Sequence, residues 1–378
     1  MYGHSSTRRA MRSIWAATAM TVLLAAGAAA CDSSSAGPAP AGGLAGSTAS
    51  SSPSATPDLE AGEELARGLD VPWGLAFLPG GDALIAERDS GRILRLRPGG
   101  GTPEQVRTVP GVAARGEGGL LGIAVSPTFS SDNLVYAYLT ADADNRIIRF
   151  RLDGGDPETV FDGIASAGFH NGGRIAFGPD GMLYAGTGDA GETSTSQDPA
   201  SPNGKILRLT PEGKPAPGNP TTGSPVYSLG HRNVQGLAWD ADGRLFATEF
   251  GQNELDEVNL IQPGRNYGWP EVEGDGDTAG GRYTGPLVTW PVREASPSGL
   301  AISGGTAYIA ALRGERLWTL PLNGDTAGEP AARLQDRYGR LRTVQVAPDG
   351  ALWLTTSNTD GRGDIREGDD RILRFPAR

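Results

Sequence analysis

The chain has 378 residues, 57 of them glycine and 28 proline, and a formal net charge of −11 at pH 7. This length suits one large domain or two ordinary ones. The glycine and proline content, without long apolar runs of helical period, favours an all-β protein with many turns. A surface this acidic repels phosphate backbones, which argues against nucleic acid as a partner.

The first thirty residues have the plan of a bacterial export signal. Arg8, Arg9 and Arg12 precede an apolar run at 14–30, and the only cysteine of the chain, Cys31, follows three alanines. Cleavage before Cys31 would expose it for lipid attachment, and the run is shorter than the roughly 20 apolar residues that a membrane span needs. We therefore predict a signal peptide at 1–30. The mature protein is expected to be extracytoplasmic, touching the bacterial cell membrane only through its lipid anchor.

Residues 31–60 contain Cys31, the predicted lipidation site, and a Ser/Ala/Gly/Pro segment with little to bury, which predicts a disordered linker. Within residues 61–378 one pattern returns six times. An apolar strand led by Gly or Arg is followed by a Pro/Asp/Gly turn, a second apolar strand and often a third. Equivalent positions in the six units are Gly74, Gly122, Arg174, Gly236, Gly299 and Thr343, which lie 48, 52, 62, 63 and 44 residues apart.

Repeats of about 40–50 residues with three or four short strands each are the signature of a β-propeller. One repeat cannot bury both faces of its small sheet, and radial stacking of the repeats solves this. We predict an all-β, six-bladed β-propeller over residues 61–378, with a β-sandwich or two β-domains as the alternative. In such a fold the loops of one face and the central channel form the binding site.

Histidine is scarce in this chain. His4 lies in the predicted signal, so His170 and His231 are the candidates for acid–base chemistry near neutral pH. The sequence contains no HExxH motif, no cysteine pair and no G-x-S-x-G elbow, which argues against a zinc site of that kind and against a serine hydrolase of that type. A hydrogen-bonded structural role is the alternative for either histidine.

Several polar residues stand just before the first strand of their repeat, or at its start. Equivalent positions of a propeller lie on one face, so we expect these side chains to meet at the channel mouth. Clustered arginines in an acidic protein suggest an anionic ligand, since a guanidinium matches carboxylate or phosphate in paired hydrogen bonds. Ion pairs with Asp and Glu between blades are the alternative. The residues of this face are Glu117, His170, Arg232, Asn233, Arg340 and Arg342.

The run ELDEVNLIQPGRNYGWP is the most acidic loop candidate. It places Glu254, Asp256 and Glu257 close to glycines and Tyr267. Carboxylate and carbonyl oxygens of a loop suit Ca²⁺. Acidic loops are also common on a protein of this charge, and no EF-hand loop is present.

Seven motifs, taken in order, resemble the soluble PQQ-dependent aldose and glucose dehydrogenases over roughly residues 65–376. That family is a six-bladed propeller that binds pyrroloquinoline quinone (PQQ) and Ca²⁺ at the channel mouth, which agrees with the repeat count. GHRN-x-QGLA and NYGWP are the most specific of the motifs. The seven are GEGGLLGIAVSP, FHNGGRIAFGPDG, GKILRL, GHRNVQGLAW, DEVNLIQPGRNYGWP, SGLA and GRLRTV.

The resemblance implies oxidation of an aldose to a lactone. His170 matches the general base, which takes the proton of the anomeric hydroxyl while hydride passes from C1 to the quinone C5. Arg232 and Asn233 match residues that contact the quinone oxygens, and Arg340 and Arg342 match arginines that hold the cofactor carboxylates. For calcium, the matching positions are Glu257, Tyr267 through its carbonyl, and the Gly251 and Gln252 carbonyls.

Three positions depart from the family pattern. Glu117 stands where glutamine commonly contacts cofactor or substrate, and a carboxylate there is unfavourable beside a tri-anionic quinone unless it is paired or protonated. Phe169 replaces an acidic neighbour of the histidine, and Arg313 replaces a cofactor-contacting lysine. We predict an aldose as substrate and an external electron acceptor, since the sequence shows neither a haem motif nor a nicotinamide fold. A propeller that only binds sugars or partners, and a metal-dependent propeller lactonase, are the alternatives.

Overall fold

Six antiparallel sheets stack radially in the computed structural model, which describes residues 56–378. Five sheets have four strands, and one has five. The prediction of an all-β, six-bladed β-propeller is therefore confirmed. The predicted signal peptide, Cys31 and most of the predicted linker lie outside the described residues.

The strands are numbered β1 to β25 in chain order. Blade 1 consists of β2 (Pro72–Phe77), β3 (Ala83–Glu87), β4 (Arg92–Leu96) and β5 (Glu104–Thr108), and blade 2 of β6 (Leu120–Val125), β7 (Leu134–Thr140), β8 (Asn145–Arg151) and β9 (Gly154–Ile164). Blade 3 consists of β10 (Ile175–Phe177), β11 (Leu183–Gly186), β12 (Lys205–Leu209) and β13 (Val226–Leu229), and blade 4 of β14 (Val234–Trp239), β15 (Leu245–Glu249), β16 (Leu255–Ile261) and β17 (Val288–Pro291). Blade 5 consists of β18 (Pro297–Ser303), β19 (Thr306–Ala311), β20 (Arg316–Asn323), β21 (Thr326–Ala327) and β22 (Ala331–Arg333). Blade 6 consists of β23 (Leu341–Val346), β24 (Leu352–Thr356), β25 (Ile372–Phe375) and β1 (Glu63–Ala66). One turn of α-helix, Phe129–Asp132, and one 3₁₀ turn, Thr193–Ser196, complete the described elements.

The turn between the first two strands of blade 3 shows why the repeat folds as it does. Gly181 has φ +74°, a conformation that side chains with a Cβ rarely adopt. The Asp180 carboxylate accepts the backbone N–H of Met182 at 3.0 Å, which closes the turn. Apolar residues on the flanking strands then face the neighbouring sheets.

The hydrophobic core is divided among the blade interfaces. Six clusters of buried apolar side chains occur, one between each pair of adjacent blades. The cluster between blades 6 and 1 includes Trp353 and Ile372 on one side and Leu75 and Ile85 on the other. The first strands of the six blades contact one another in a ring, so they line the central channel.

The ring is closed by pairing the two ends of the described chain. Strand β1 pairs antiparallel with β25, with Glu63 opposite Arg374 and Glu64 opposite Leu373. Pro57 forms a bridge with Ala377, and the Arg378 N–H donates to the Thr56 carbonyl at 3.0 Å. Among residues 56–378, no helix has the length and apolar character that crossing a membrane requires.

Candidate active site

His170 lies on the loop before β10 and is paired with a buried carboxylate. Its Nδ1 is 2.7 Å from Oδ1 of Asp189, and the second oxygen of Asp189 accepts the indole N–H of Trp269 at 2.9 Å. The His170 side chain is 13% exposed, and residues 56–378 give its Nε2 no hydrogen-bond partner. The ring is thus oriented by Asp189, and its second nitrogen is available to a ligand.

Burial would raise the pKa of Asp189, but its hydrogen bonds with His170 and the Gly191 N–H outweigh burial and lower that pKa. Asp189 is therefore an anion at neutral pH. A carboxylate in this position fixes the tautomer of an imidazole and stabilises its protonated form. His170 itself has φ +55°, an uncommon conformation for a residue other than glycine, of the kind that concentrates at functional sites.

Sequence reasoning missed Asp189 as a partner of His170, although a signal was present. Strands β10 and β11 form a hairpin with Ile175 opposite Ala185. Extending this register places the loop before β10 beside the segment after β11, and the N–H of Ala190 indeed donates to the carbonyl of His170 at 3.1 Å.

Glu117, predicted to face the channel mouth, contacts the same loop. Its Oε2 accepts the backbone N–H of His170 at 3.1 Å, and its Oε1 is 2.7 Å from Nη1 of Arg362. Burial would raise the pKa of Glu117, but the Arg362 charge and the hydrogen bond from His170 outweigh this and lower it. The carboxylate is therefore ionised and paired.

Arg232 and Asn233 lie on the loop before β14, as predicted. In each side chain one nitrogen donor has no acceptor among the described residues. The Oδ1 of Asn233 accepts the Gly172 N–H at 3.0 Å, and Nη1 of Arg232 donates to the Phe250 carbonyl at 3.2 Å. Among the described residues, Nε of Arg232 and Nδ2 of Asn233 are buried without any hydrogen-bond partner. Buried donors without partners are costly, and a ligand rich in acceptors would satisfy them.

Arg340 and Arg342 share one buried carboxylate. Nε and Nη2 of Arg340 lie 3.1 and 2.9 Å from Oδ2 of Asp360, and Nη2 of Arg342 lies 3.3 Å from the same oxygen. Burial lowers the pKa of Arg342 to about 10, so it is still charged at neutral pH. Both arginines therefore pair with an acid, but within blade 6 and not between blades as the alternative held. Two guanidiniums and one carboxylate nevertheless leave one positive charge.

Arg340, Arg342 and Asp360 line a cavity of about 530 Å³ at the channel mouth, together with Glu117 and Arg362. Five arginines and two carboxylates line it, so arginines outnumber acids in its wall although the protein as a whole is acidic. Arg313 is exposed and lines this cavity. The charged residues of the wall are Arg88, Arg313, Arg340, Arg342, Arg362, Glu117 and Asp360.

A second cavity of about 470 Å³ contains the His170–Asp189 pair. Arg232, Trp269 and Phe169 also line it, and it shares Glu117 and Arg362 with the first cavity. The exposed ring of Phe169 packs edge-on against His170, with ring centres 4.6 Å apart. This face of the propeller thus has two adjoining chambers. The cationic chamber is the cavity lined by the arginines of blades 5 and 6, and the His170 chamber is the cavity that contains the oriented imidazole.

The family described as glucose/sorbosone dehydrogenase matches residues 69–372. The chain belongs to this family. The aldose sugar dehydrogenase YliI of Escherichia coli K12 is 30% identical over 331 residues, which cover 78% of this chain and 89% of that protein. Membership confirms the family predicted from the seven motifs, and it confirms that the chain is an enzyme.

The names of two further relatives refer to a quinone cofactor. Quinoprotein glucose dehydrogenase B of Acinetobacter calcoaceticus is 31% identical over 278 residues, covering 63% of this chain and 58% of that protein. The PQQ-bound structure of an aldose sugar dehydrogenase from Streptomyces coelicolor is 55% identical, with a TM-score of 0.81, and covers 85% of this chain and all of that one.

His231 has a structural role in this glucose/sorbosone dehydrogenase family member. The residue is fully buried, with Nε2 2.8 Å from the Ser228 hydroxyl and Nδ1 2.8 Å from Oε2 of Glu249. Its ring stacks on Tyr267 with centres 4.8 Å apart. Both ring nitrogens are occupied, which leaves His170 as the histidine that faces a cavity within the described chain.

The predicted metal positions lie next to the His170 chamber. Gly251, Glu257 and Tyr267 line one narrow cleft together with Glu249 and Glu273, and Gln252 lines the chamber itself. Burial and the neighbouring Glu249 charge raise the pKa of Glu257 to about 8. The Tyr267 hydroxyl donates to the Leu260 carbonyl at 2.6 Å and so is occupied. Residues 56–378 contain no group of three or more His, Cys, Asp or Glu side chains suited to a metal ion.

Proposed function

We propose that the chain is a PQQ-dependent sugar dehydrogenase that oxidises aldoses to lactones, with His170 as the general base. The observation that carries this proposal is the arginine-lined cavity of about 530 Å³ beside the His170–Asp189 pair. Membership of the family and the PQQ-bound relative from Streptomyces coelicolor support the choice of substrate and cofactor.

The residues present fit PQQ. The excess of arginines in the cavity wall suits a cofactor with three carboxylates, because guanidiniums bind carboxylates in paired hydrogen bonds. Arg340, Arg342 and Arg313 would hold those carboxylates. The buried, unpartnered Nε of Arg232 and Nδ2 of Asn233 would serve the quinone oxygens. When bound, PQQ supplies the quinone that takes hydride from C1 of the sugar, and an external acceptor then removes the electrons.

The chain's own residues would move and hold the proton. Nε2 of His170 accepts the proton of the anomeric hydroxyl, since Nδ1 is held by Asp189 at 2.7 Å. The Asp189 anion stabilises the imidazolium that forms. The Arg232 guanidinium, in the same chamber, stabilises negative charge that develops during oxidation.

We also propose Ca²⁺ as a second cofactor, held by Glu257 and by the carbonyls of Tyr267, Gly251 and Gln252. Support comes from Glu257, which is buried next to the Glu249 carboxylate on the paired strand and would be relieved of this repulsion by a divalent cation. The extracytoplasmic location and the lipid anchor at Cys31 rest on the sequence alone. Mass spectrometry of the mature N-terminus tests whether the signal peptide is cleaved before Cys31 and whether Cys31 carries a lipid.

The decisive experiment adds PQQ and Ca²⁺ to the purified protein and follows dye reduction with a panel of aldoses. We expect PQQ-dependent turnover, together with a PQQ-dependent rise in the unfolding temperature. His170→Gln should lower kcat by at least about a hundredfold, because general-base catalysis contributes that much. The same variant should keep PQQ affinity within about threefold, since the proposed cofactor contacts are made by other residues.

Absence of both turnover and a PQQ-dependent thermal shift would overturn the proposed function. PQQ binding without turnover on any aldose would instead favour the alternative of a binding propeller. Loss of PQQ binding in His170→Gln, with the apo protein still folded, would contradict the role assigned to His170.

A further inference from the structure

One ion pair crosses the mouth of the channel between loops that are 245 residues apart in the chain. Nη1 of Arg362, on the loop between β24 and β25, lies 2.7 Å from Oε1 of Glu117, on the loop before β6. The Glu117 side chain is 21% exposed and that of Arg362 is 61% exposed. Arg362 therefore reaches from blade 6 through solvent to a largely buried carboxylate of blade 2.

The pair stands between the two chambers of the site. Glu117 and Arg362 line both the cationic cavity and the cavity that contains His170. Glu117 also accepts the backbone N–H of His170 through its other oxygen, at 3.1 Å. A ligand that reaches from the arginines of blade 6 to His170 must therefore pass this carboxylate.

The loop that carries Arg362 is tied to the same arginines. Asp360 accepts the backbone N–H of Arg362 at 3.0 Å through Oδ1, while its Oδ2 pairs with Arg340 and Arg342. The hydrogen bond to Asp360 holds the backbone of Arg362 near the two other arginines, and the Arg362 side chain lines both chambers. Arg362 thus belongs to the charge set of the site, although its own partner is Glu117.

An unpaired Glu117 would oppose an anionic ligand in either chamber. Two unit charges at close range in a partly buried site interact strongly, and removing one member of a buried pair leaves the other uncompensated. We propose that Arg362 is a cofactor-site residue of this chain, whose guanidinium neutralises Glu117 and so allows a carboxylate to hold the His170 loop beside an anionic cofactor. This inference rests on the proposed use of PQQ. It makes Arg362 a positioning and charge-balancing residue that acts through Glu117.

The test is a double-mutant cycle on PQQ affinity in the full chain with Ca²⁺ present. Quenching of tryptophan fluorescence reports binding, because Trp73 lines the cationic cavity and Trp269 lines the other. Arg362→Gln should weaken PQQ binding by about tenfold or more, since it lowers the charge of the wall and leaves Glu117 unpaired. Glu117→Gln should bind PQQ at least as tightly as the wild type. The double variant, with the wild-type net charge of the wall, should return to within about threefold of the wild type.

Arg366→Gln is the matched control. Arg366 lies on the same loop and its loss changes the net charge equally, but it bonds to the Arg337 carbonyl and lines neither chamber. It should leave PQQ affinity unchanged. Thermal unfolding of the apo proteins checks that every variant is folded, so that a change in affinity reports on the cofactor site.

Wild-type affinity in Arg362→Gln would overturn the inference and leave the proposed function standing. A double variant as weak as Arg362→Gln would also overturn it, because Arg362 would then act on PQQ directly and not through Glu117. A wild-type protein that does not bind PQQ would overturn the proposed function, and this inference with it.

Discussion

At the scale of single residues, the site depends on the contact between His170 and Asp189. The imidazole is held by a 2.7 Å contact with a carboxylate whose pKa is lowered, so that carboxylate is ionised throughout the neutral range. Asp189 also accepts the indole N–H of Trp269, and this second bond fixes the carboxylate itself. His170 is therefore pre-oriented before any substrate arrives, which is what a general base needs.

Asp189→Asn tests this orientation. Asparagine has one acceptor oxygen where aspartate has two, and it carries no charge to stabilise an imidazolium. We expect kcat to fall by about 10–100-fold, with KM and PQQ affinity changed by less than about threefold. Steady-state kinetics with a saturating aldose gives this split.

The matched control for Asp189→Asn is Asp180→Asn, at the other end of the β10–β11 hairpin, where the carboxylate closes a turn and lines neither cavity. The control should keep its kcat. A kcat for Asp189→Asn within twofold of the wild type would show that His170 does not need this partner.

At the scale of elements, the loop between β11 and β12 is held by a buried lysine. Nζ of Lys205 donates to the carbonyls of Thr195, Ser196 and Asn203 at 2.7, 3.1 and 2.7 Å. Burial lowers the pKa of Lys205 to about 8, and no salt bridge within the described residues involves it. The same loop carries Thr193 into the wall of the His170 chamber. Lys205 therefore links the stability of this loop to the shape of the chamber.

Lys205→Met should destabilise the protein by about 2–4 kcal/mol, because three buried carbonyls lose their donor. We also expect faster proteolysis within residues 193–203 and a lower kcat/KM. Urea unfolding and limited proteolysis measure the first two effects. Lys214→Met is the matched control, since Lys214 is the other lysine of the chain and is exposed in the same blade. Equal stability of the two variants would contradict the assigned role.

The repeats explain why the elements could be predicted and why several contacts could not. Equivalent markers such as Gly74 and Gly236 lie in the first strands of their blades, because period-2 apolar runs and Gly/Asp turns are local signals. The partners of the site residues are not local. Asp360 and Arg362 belong to the loop between β24 and β25, and no periodicity relates Arg362 to Glu117.

At the scale of the whole molecule, the six blades depend on one another through their interfaces. Each hydrophobic cluster is shared by two neighbouring sheets, so a blade lacks a complete core of its own. The residues that line the two cavities come from all six blades. Their relative positions are therefore set by the closed ring and not by any single blade.

Closure of the ring depends on β1, the outer strand of blade 6. Leu65 and Ala66 are buried in the cluster between blades 6 and 1, and Glu63 forms a 2.7 Å ion pair with Arg374. A chain that begins at residue 67 loses these contacts and exposes the edge of β25. We expect it to be less stable by about 3–5 kcal/mol, from lost apolar burial and lost ladder hydrogen bonds. It should also aggregate, because an unpaired edge strand is a template for association.

The comparison is with a chain that begins at residue 56, which keeps β1 and the bridge between Pro57 and Ala377. Thermal unfolding and size-exclusion chromatography separate the two outcomes. Because blade 6 carries Arg340 and Arg342, the shorter chain should also bind PQQ more weakly, even where it remains folded. Equal unfolding temperatures and equal PQQ affinities for the two chains would show that blade 6 is held by β23 to β25 alone. The cationic wall would then not require a closed ring.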